Sequence, residues 1–518
     1  MKRTTRRIAA SLSLLVVCGT TLAAEIDTKI QSNDATHILT PPAPATPRIN
    51  GPRIYGQRPG RPFLYTVPAT GDRPVVFDAT GLPPGLKIDS NTGRISGVVA
   101  TAGEFKVTLQ AKNDRGTDQK PLKIVIGDQI ALTPPMGWNS WNCWGSQVSQ
   151  EKVLQSAKGF VDSGLVNHGW SYINIDDAWQ APERGGEFHA IQGNEKFPDM
   201  KSLCDQIHSM GLKVGIYSTP WTTSYATHIG GSSENEDGSW TKPTVNKKGI
   251  VNKKILPWAI GKYSFAKNDA KQWAAWGVDY LKYDWNPNEM PETQEMYDAL
   301  QASGRDVVLS LSNNTPFGNI SELSKIASCW RTSGDIRDNW DSMSKKGFGE
   351  DKWEPYCHPG HWNDPDMLVV GTVGWGKPHP TGLTPDEQYT HISLWCLVSA
   401  PLLIGCDMSK VDDFTVSLLS NDEVLAVNQD ALGKQATTIT KEGDTRVYAK
   451  DLEDGSKAVG LFNVGDKELK VVANFSDLNL TGKQKVRDLW RQQDVGDFDG
   501  KYEATVAPHG AVLVKISK

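Results

Sequence analysis

Short apolar runs alternate with helical patterns between residues 130 and 434. In 200–210, for example, apolar residues recur at three- and four-residue spacing before Gly211, which is typical of a helix and its C-terminal cap. Eight such strand–helix units in about 300 residues favour a (β/α)8 TIM barrel of α/β class over an open doubly wound sheet. The eight predicted strands are 136–138, 172–175, 213–217, 280–283, 307–311, 329–332, 361–362 and 401–404.

Two segments that flank the predicted barrel show the two-residue period of β-strands. Residues 47–128 contain short alternating runs with a Pro-Pro-Gly turn at 83–85, and they predict an immunoglobulin-like β-sandwich. Residues 81–97 resemble immunoglobulin-like modules of bacterial enzymes and carry no catalytic constellation, which favours a spacer or packing role over ligand binding. Alternation resumes in 435–518 and predicts a C-terminal antiparallel β-sandwich domain.

The N-terminus has the layout of a secretory signal peptide. Basic residues within 2–7 precede an apolar stretch at 8–17, and the small residues Ala23 and Ala24 follow. We therefore predict a signal peptide at 1–24 and an exported protein, periplasmic or secreted. Residues 25–46 are polar and then Pro-rich, as in an extended linker. No later run reaches the roughly 20 apolar residues of a membrane span.

Composition narrows the possible partners. The chain has 518 residues and a net charge of −5, so it has no basic field for nucleic acid. Eighteen tryptophans are present, many of them beside predicted strand ends. Their flat apolar rings suit the C–H faces of sugars, although a core position is the ordinary alternative for each one. A carbohydrate is therefore the expected partner, while the oligomeric state stays undetermined.

The cysteines do not indicate a metal site. After Cys18, six widely spaced cysteines remain, and none forms a C-x-x-C pair. Zinc is therefore not expected, and the six cysteines leave the disulfide pairing open. Lipidation at Cys18 is disfavoured because the bulky Val17 precedes it.

Two predicted strands deliver a carboxylate at their C-terminal ends, where barrel enzymes place their active sites. The two carboxylates are Asp284, which follows the strand Tyr280–Tyr283, and Asp335, which follows the strand 329–332. An isolated acid at a strand end is often only a turn residue. Two acids facing one cavity, however, suit a retaining glycosidase, which needs a nucleophile and an acid about 5 Å apart. Lys282 shares a strand face with Asp284 and is expected to keep it ionised, whereas Tyr283 faces the helices.

Further acids lie at neighbouring strand ends. Asp176 and Asp177 follow the second strand, and Asp364 and Asp366 follow the seventh. Such carboxylates can hold sugar hydroxyls or, as in enolase-type barrels, a divalent cation. We predict neither a metal nor a cofactor, because the uncharged strand 307–311 separates Asp284 from Asp335. The Gly-rich insertion at 222–262 is expected to be an active-site loop.

The order of motifs along 130–518 resembles glycoside hydrolase family 27, which contains α-galactosidases and α-N-acetylgalactosaminidases. The segments that carry the resemblance are 133–141, 172–179, 213–217, 280–284, 329–340, 362–368 and 399–405. The resemblance implies that Asp284 is the nucleophile and Asp335 the acid/base. It also implies a pocket for the terminal sugar lined by Trp141, Asp176, Asp177, Tyr217, Lys282, Arg331 and Asp366, where Arg331 either holds substrate hydroxyls or positions the acid.

Position 312 departs from the family pattern. Many family α-galactosidases carry a Glu there that contacts the sugar 2-hydroxyl, whereas this chain has Ser312. Ser312 is smaller and is shared with the N-acetylgalactosaminidases. We expect a retaining exo-α-galactosidase, with α-N-acetylgalactosaminidase as the alternative. More remote readings are a β-L-arabinopyranosidase, against which the retained Asp176 and Asp177 argue, and a non-catalytic carbohydrate-binding protein.

Overall fold

The computed structural model describes residues 37–241, 245–246, 249–250 and 258–518. The predicted signal peptide and the linker up to residue 36 lie outside the described residues. The rest forms a parallel barrel, a β-domain that precedes it and an antiparallel β-domain that follows it, as the alternation of apolar and polar residues predicts.

Eight parallel, almost entirely buried strands form the barrel. They are β1 Met136–Asn139, β2 Tyr172–Asn174, β3 Lys213–Ser218, β4 Tyr280–Asp284, β5 Val308–Ser312, β6 Cys329–Arg331, β7 Trp362–Asp364 and β8 Leu402–Ile404. Their order is β7-β6-β5-β4-β3-β2-β1-β8, and Leu368 completes the circle by pairing with Ile404. All predicted strands match within two residues at each end. The largest shift is at β7, which includes Asp364 rather than ending before it.

The described residues contain ten α-helices. They are α1 Trp141–Trp144, α2 Gln150–Asp162, α3 Met200–Ser209, α4 Ala266–Trp276, α5 Met290–Ala302, α6 Ile320–Leu323, α7 Trp340–Gly347, α8 Pro385–Leu397, α9 Asp413–Leu419 and α10 Asp422–Asn428. Helix α8 begins with a capping box in which Thr384 and Glu387 satisfy each other's backbone N–H groups. The helix is buried from Glu387 to Leu397, because it packs against both the barrel and the C-terminal domain.

The N-terminal module has its own apolar core, and it covers the end of the barrel where the strands begin. Lys213, the first residue of β3, donates to the Tyr55 hydroxyl at 2.6 Å. Asp306, just before β5, accepts from Gln57 at 2.7 Å and from the Arg58 backbone at 2.8 Å. The module strands are Arg48–Ile49, Ile54–Gln57, Pro62–Thr66, Ala69–Thr70, Val76–Thr80, Leu86–Ile88, Arg94–Val98, Gly103–Asn113 and Gly116–Ile126.

The C-terminal domain contains a six-stranded antiparallel sheet and a two-stranded sheet around a separate apolar core. Its strands are Thr437–Glu442, Thr445–Asp451, Lys457–Asn463, Leu469–Asn474, Gln484–Asp488, Gln493–Phe498, Lys501–Val506 and Ala511–Ser517. Short ribbons decorate the barrel loops at Gln180–Gly185 with Ala190–Gly193, Ser232–Ser233 with Tyr263–Ser264, Val245–Asn246 with Gly249–Ile250, and Thr372–Val373 with His379–Pro380.

Candidate active site

Asp284 is the last residue of β4 and lies at the carboxyl end of the barrel. The residue is 6% exposed, and its Oδ1 has no hydrogen-bond partner among the described residues. Its pairing partner across the ladder is Ser312 of β5. A small cavity nearby is lined by Lys282, Ser312, Arg331 and Asp366, so predicted site residues from β4, β5, β6 and the loop after β7 meet there.

Asp176 and Asp177 are buried beside this cavity, and each carboxylate is already engaged. Asp176 accepts from Lys282 Nζ and from Asn139 Nδ2, both at 2.8 Å. Asp177 accepts from the backbone N–H groups of Ala178 at 2.7 Å and Ala226 at 2.8 Å. These contacts fix the pair rigidly, and each oxygen keeps lone pairs for further donors such as sugar hydroxyls.

Arg331 joins the acid Asp335 to the buried acid Asp366. Its guanidinium lies 2.7 Å from Asp366 Oδ2 and 3.4 Å from Asp335 Oδ1. Asp366 adopts a φ of 100°, a conformation that costs energy for a non-glycine residue. Its Oδ2 also accepts from the Ile336 backbone at 2.7 Å, so the loop that carries Asp335 is fixed at the next residue.

The two candidate catalytic acids differ in environment. Burial raises the pKa of Asp284 to about 7, although Lys282 lowers it. The predicted effect of Lys282 is therefore present, but desolvation outweighs it. Burial alone would raise the pKa of Asp335, yet Arg331 and Lys282 together hold it below its ordinary value. The Asp335 side chain is also 55% exposed, so it faces the open mouth of the site.

Tyr217 and Trp141 border the same region. Burial, with help from Asp284, Asp177 and Asp176, raises the pKa of the Tyr217 hydroxyl well above its ordinary value. The hydroxyl is therefore neutral and able to donate. Trp141 begins α1, where its N–H donates to Asn139 at 2.9 Å, and its partly buried ring packs on the barrel interior.

Comparison with known proteins places the chain in a family. Residues 133–240 and 250–430 match the family described as Alpha galactosidase A, and residues 442–516 match its C-terminal beta sandwich domain. The chain belongs to the α-galactosidase A family, glycoside hydrolase family 27. Residues 46–127 match the domain described as "Putative Ig domain".

The alignments with individual relatives cover most of this chain and most of each relative. "Alpha-galactosidase 2" of Arabidopsis thaliana is 36% identical over 403 residues, which is 76% of this chain and 92% of the relative. The crystal structure of a "putative alpha-galactosidase/melibiase" from Bacteroides fragilis is 35% identical, with a TM-score of 0.79, and covers 93% of this chain and 99% of its own. A GH27 β-L-arabinopyranosidase from Geobacillus stearothermophilus is 28% identical, with a TM-score of 0.64, covering 75% of this chain and 97% of its own. The family fold therefore accommodates more than one terminal sugar.

Two residues at this family site are absent from the set that the motifs predict. Tyr225, from the insertion at 222–262, lies close to Asp284 and within hydrogen-bonding reach of the Asn313 side chain. Asn313 directly follows Ser312. The insertion itself is an expected active-site loop, but neither period nor spacing singles out one residue within it.

The chemistry of the site does not favour a cation. Asp176 and Asp366 are each paired with a basic side chain, Lys282 and Arg331. In the part of the chain that the structure describes, no group of three or more His, Cys, Asp or Glu residues is arranged to hold a metal ion. The six described cysteines are buried and unpaired with one another. None of the described helices is both long and apolar enough to cross a membrane.

Proposed function

We propose that the chain is a retaining, exo-acting α-galactosidase that removes non-reducing terminal α-D-galactosyl residues from oligosaccharides or polysaccharide side chains. The observation that carries the proposal is the unpartnered Oδ1 of Asp284. Asp176, Asp177 and Asp366 have both oxygens bound by donors, whereas Oδ1 of Asp284 has no donor among the described residues. Family membership supports the choice of sugar.

The reaction then has two displacements. Asp284 attacks the anomeric carbon, and the departing oxygen takes a proton from Asp335. In the second step Asp335 removes a proton from water, whose oxygen attacks the same carbon and releases Asp284. A sugar that covers the exposed Asp335 would desolvate it and raise its pKa. In the sugar-bound enzyme, Asp335 therefore carries the proton needed for the leaving group, and Asp284 is ionised.

Removal of each carboxyl tests these roles. We expect Asp284→Ala to lower kcat on an aryl α-galactoside by about 10⁴-fold or more. The matched control is Asp298→Ala, an exposed acid on α5, which should retain normal turnover. Asp335→Ala should reduce turnover of galactosides with poor leaving groups much more than that of activated aryl galactosides. Near-normal turnover by Asp284→Ala would reject the assignment.

Stereochemistry and substrate range are tested directly on the unmodified enzyme. Proton NMR of the first-formed product should show α-galactose before mutarotation, because two displacements retain configuration. Initial β-galactose would reject the retaining mechanism. Aryl α-galactoside, α-N-acetylgalactosaminide and β-L-arabinopyranoside are compared side by side, and the galactoside should have the highest kcat/KM.

Export is a separate proposal. The basic, apolar and small-residue segments within 1–24 support a periplasmic or secreted protein. Cell fractionation and N-terminal sequencing of the mature protein test it. A cytoplasmic product that retains residues 1–24 would reject it.

A further inference from the structure

The position of Asp335 depends on the backbone that carries it. Its side chain is 55% exposed, and among the described residues its carboxylate has one hydrogen-bond partner, the Arg331 guanidinium at 3.4 Å. This contact is a weak one, because hydrogen bonds between an ionised donor and a carboxylate are normally about 2.7–2.9 Å long. The groups that fix the chain on either side of Asp335 therefore decide where the acid lies.

Helix α7 holds the chain immediately before Asp335. The Lys346 ammonium, near the end of this helix, donates to the Gly334 carbonyl at 2.5 Å and to the Ser333 hydroxyl at 3.4 Å. On the other side, the Ile336 N–H is bound to Asp366 at 2.7 Å. Asp335 thus lies between one contact from the barrel and one contact from α7. A displacement of α7 would therefore displace the acid.

The C-terminal domain contacts α7 at both ends. At its first residue, the Trp340 ring is stacked on the His509 ring, with 4.0 Å between centroids and 8° between planes. Phe348, directly after the helix, packs edge-on against Phe462 at 5.3 Å, and its carbonyl accepts from the Tyr448 hydroxyl at 3.3 Å. Aromatic pairs have preferred geometries, so the stack on Trp340 sets an orientation of the helix as well as a distance.

His509 is itself fixed in place. Its Nδ1 lies 2.7 Å from the Glu387 carboxylate on α8, and its carbonyl accepts from the Thr390 hydroxyl at 2.6 Å. Its φ is 55°, a left-handed conformation that persists in a non-glycine residue only where surrounding contacts hold it. The imidazole is therefore a fixed surface against which the start of α7 is placed.

We propose that His509 is a positioning residue for the acid/base. The C-terminal domain holds α7 through the His509–Trp340 stack, and α7 holds Asp335 where it can pass a proton to the leaving group. The inference rests on the proposed function, in which Asp335 is the acid. Proton transfer needs the acid within hydrogen-bond reach of the departing oxygen, about 2.6–3.2 Å, so a small displacement of Asp335 slows it. Attack by Asp284 is less affected, because Asp284 is carried by β4.

Leaving groups of different basicity separate this role from a general loss of stability. We compare kcat/KM on 4-nitrophenyl α-galactoside, whose leaving group needs little protonation, with kcat/KM on methyl α-galactoside, whose leaving group needs it. His509→Ala should lower kcat/KM on the methyl galactoside about tenfold more than on the aryl galactoside, because the acid is misplaced. His509→Phe keeps a flat ring and should recover most of this difference.

Three further variants complete the experiment, each assayed well below its melting temperature. Trp340→Leu removes the other ring of the stack and should give the same shift in the ratio of the two kcat/KM values, even if His509→Ala does not fold. Val471→Ala truncates a buried residue in the core of the C-terminal domain and should lower the melting temperature without changing the ratio. Asp335→Ala removes the acid and should change the ratio most.

Equal losses on the two galactosides in His509→Ala and Trp340→Leu would overturn the inference. The same shift in Val471→Ala, or no recovery in His509→Phe, would overturn it as well. If Asp335→Ala itself leaves the ratio unchanged, the assignment of Asp335 as the acid fails instead.

Discussion

At the scale of single residues, the site contains three carboxylates with a donor on each oxygen and one, Asp284, whose Oδ1 has no donor among the described residues. Asp176, Asp177 and Asp366 are held by backbone N–H groups and basic side chains, and they act as fixed acceptors. Asp284 has an unbound, buried oxygen instead. A buried carboxylate without a full set of donors resists ionisation, which is why burial outweighs Lys282 in setting its pKa.

The raised pKa of Asp284 predicts the acid limb of the pH profile. Asp284 must be ionised to attack, and its pKa in the free enzyme is about 7. For an activated aryl galactoside, which needs little help from an acid, kcat/KM should therefore fall as pH decreases through about 7. Lys282→Met should move the midpoint upward, because the cation that lowers the pKa is lost.

The position of the midpoint, rather than the size of kcat, is the useful measurement, since Lys282 also holds Asp176. Lys345→Met is the control, as this lysine is exposed on α7. A midpoint below about pH 5 in the unmodified enzyme, or a downward movement in Lys282→Met, would contradict the account.

At the scale of elements, α8 connects the barrel to the C-terminal domain. Glu387 accepts from the Thr384 backbone at 2.8 Å through one oxygen and from His509 at 2.7 Å through the other. The start of the helix is therefore shared by two domains.

Thr384→Ala should remove one half of the capping box and cost about 1 kcal/mol of helix stability. For a protein of this size we expect a fall of about 2 °C in the melting temperature. Thr117→Ala, at an exposed strand position of the N-terminal module, is the control and should not change it. Differential scanning calorimetry at constant pH makes the comparison, and equal effects of the two substitutions would refute the role of the cap.

The same scale shows why some elements follow from sequence and others do not. Strands β4 and β5 are predictable because buried parallel strands are short apolar runs between polar ends. Asp284 and Asp335 follow from those ends. The site position of Tyr225 cannot be predicted in this way. Tyr225 lies in a long loop, whose path over the barrel is not determined by the local pattern of apolar and polar residues. The left-handed conformation of Asp366 is also set by tertiary contacts, since no glycine marks the turn.

At the scale of the whole molecule, the N-terminal module and the active site occupy opposite ends of the barrel. The module contacts Lys213 and Asp306 where strands begin, whereas Asp284 lies where β4 ends. These contacts are direct evidence of a packing role at this end of the barrel. They make the module an integral part of the folded enzyme.

Asp306→Ala should weaken docking of the module without altering catalysis. The substitution removes a carboxylate that binds Gln57 and Arg58, and hydrogen bonds to a charged group are each worth about 1.5–3 kcal/mol. We expect a lower melting temperature and faster proteolysis near residues 127–132, with unchanged kcat. Asp298→Ala serves as the exposed control. A loss of kcat that matches the loss of stability would contradict this division between the two ends.

The closure of the barrel has a bearing on how the enzyme would lose activity. Leu368 donates to the Leu403 carbonyl of β8 at 2.8 Å and accepts from the N–H of Gly405, the residue after β8, at 2.9 Å. It lies two residues after Asp366, which binds Arg331. The residue that closes the barrel and the residue that positions Arg331 beside Asp335 thus lie in the same short segment, 366–368. Mild heating that breaks these two hydrogen bonds would displace Asp366 and abolish activity while the remaining strands stay paired. Its working lifetime would then be limited by a local opening beside the pocket rather than by global unfolding.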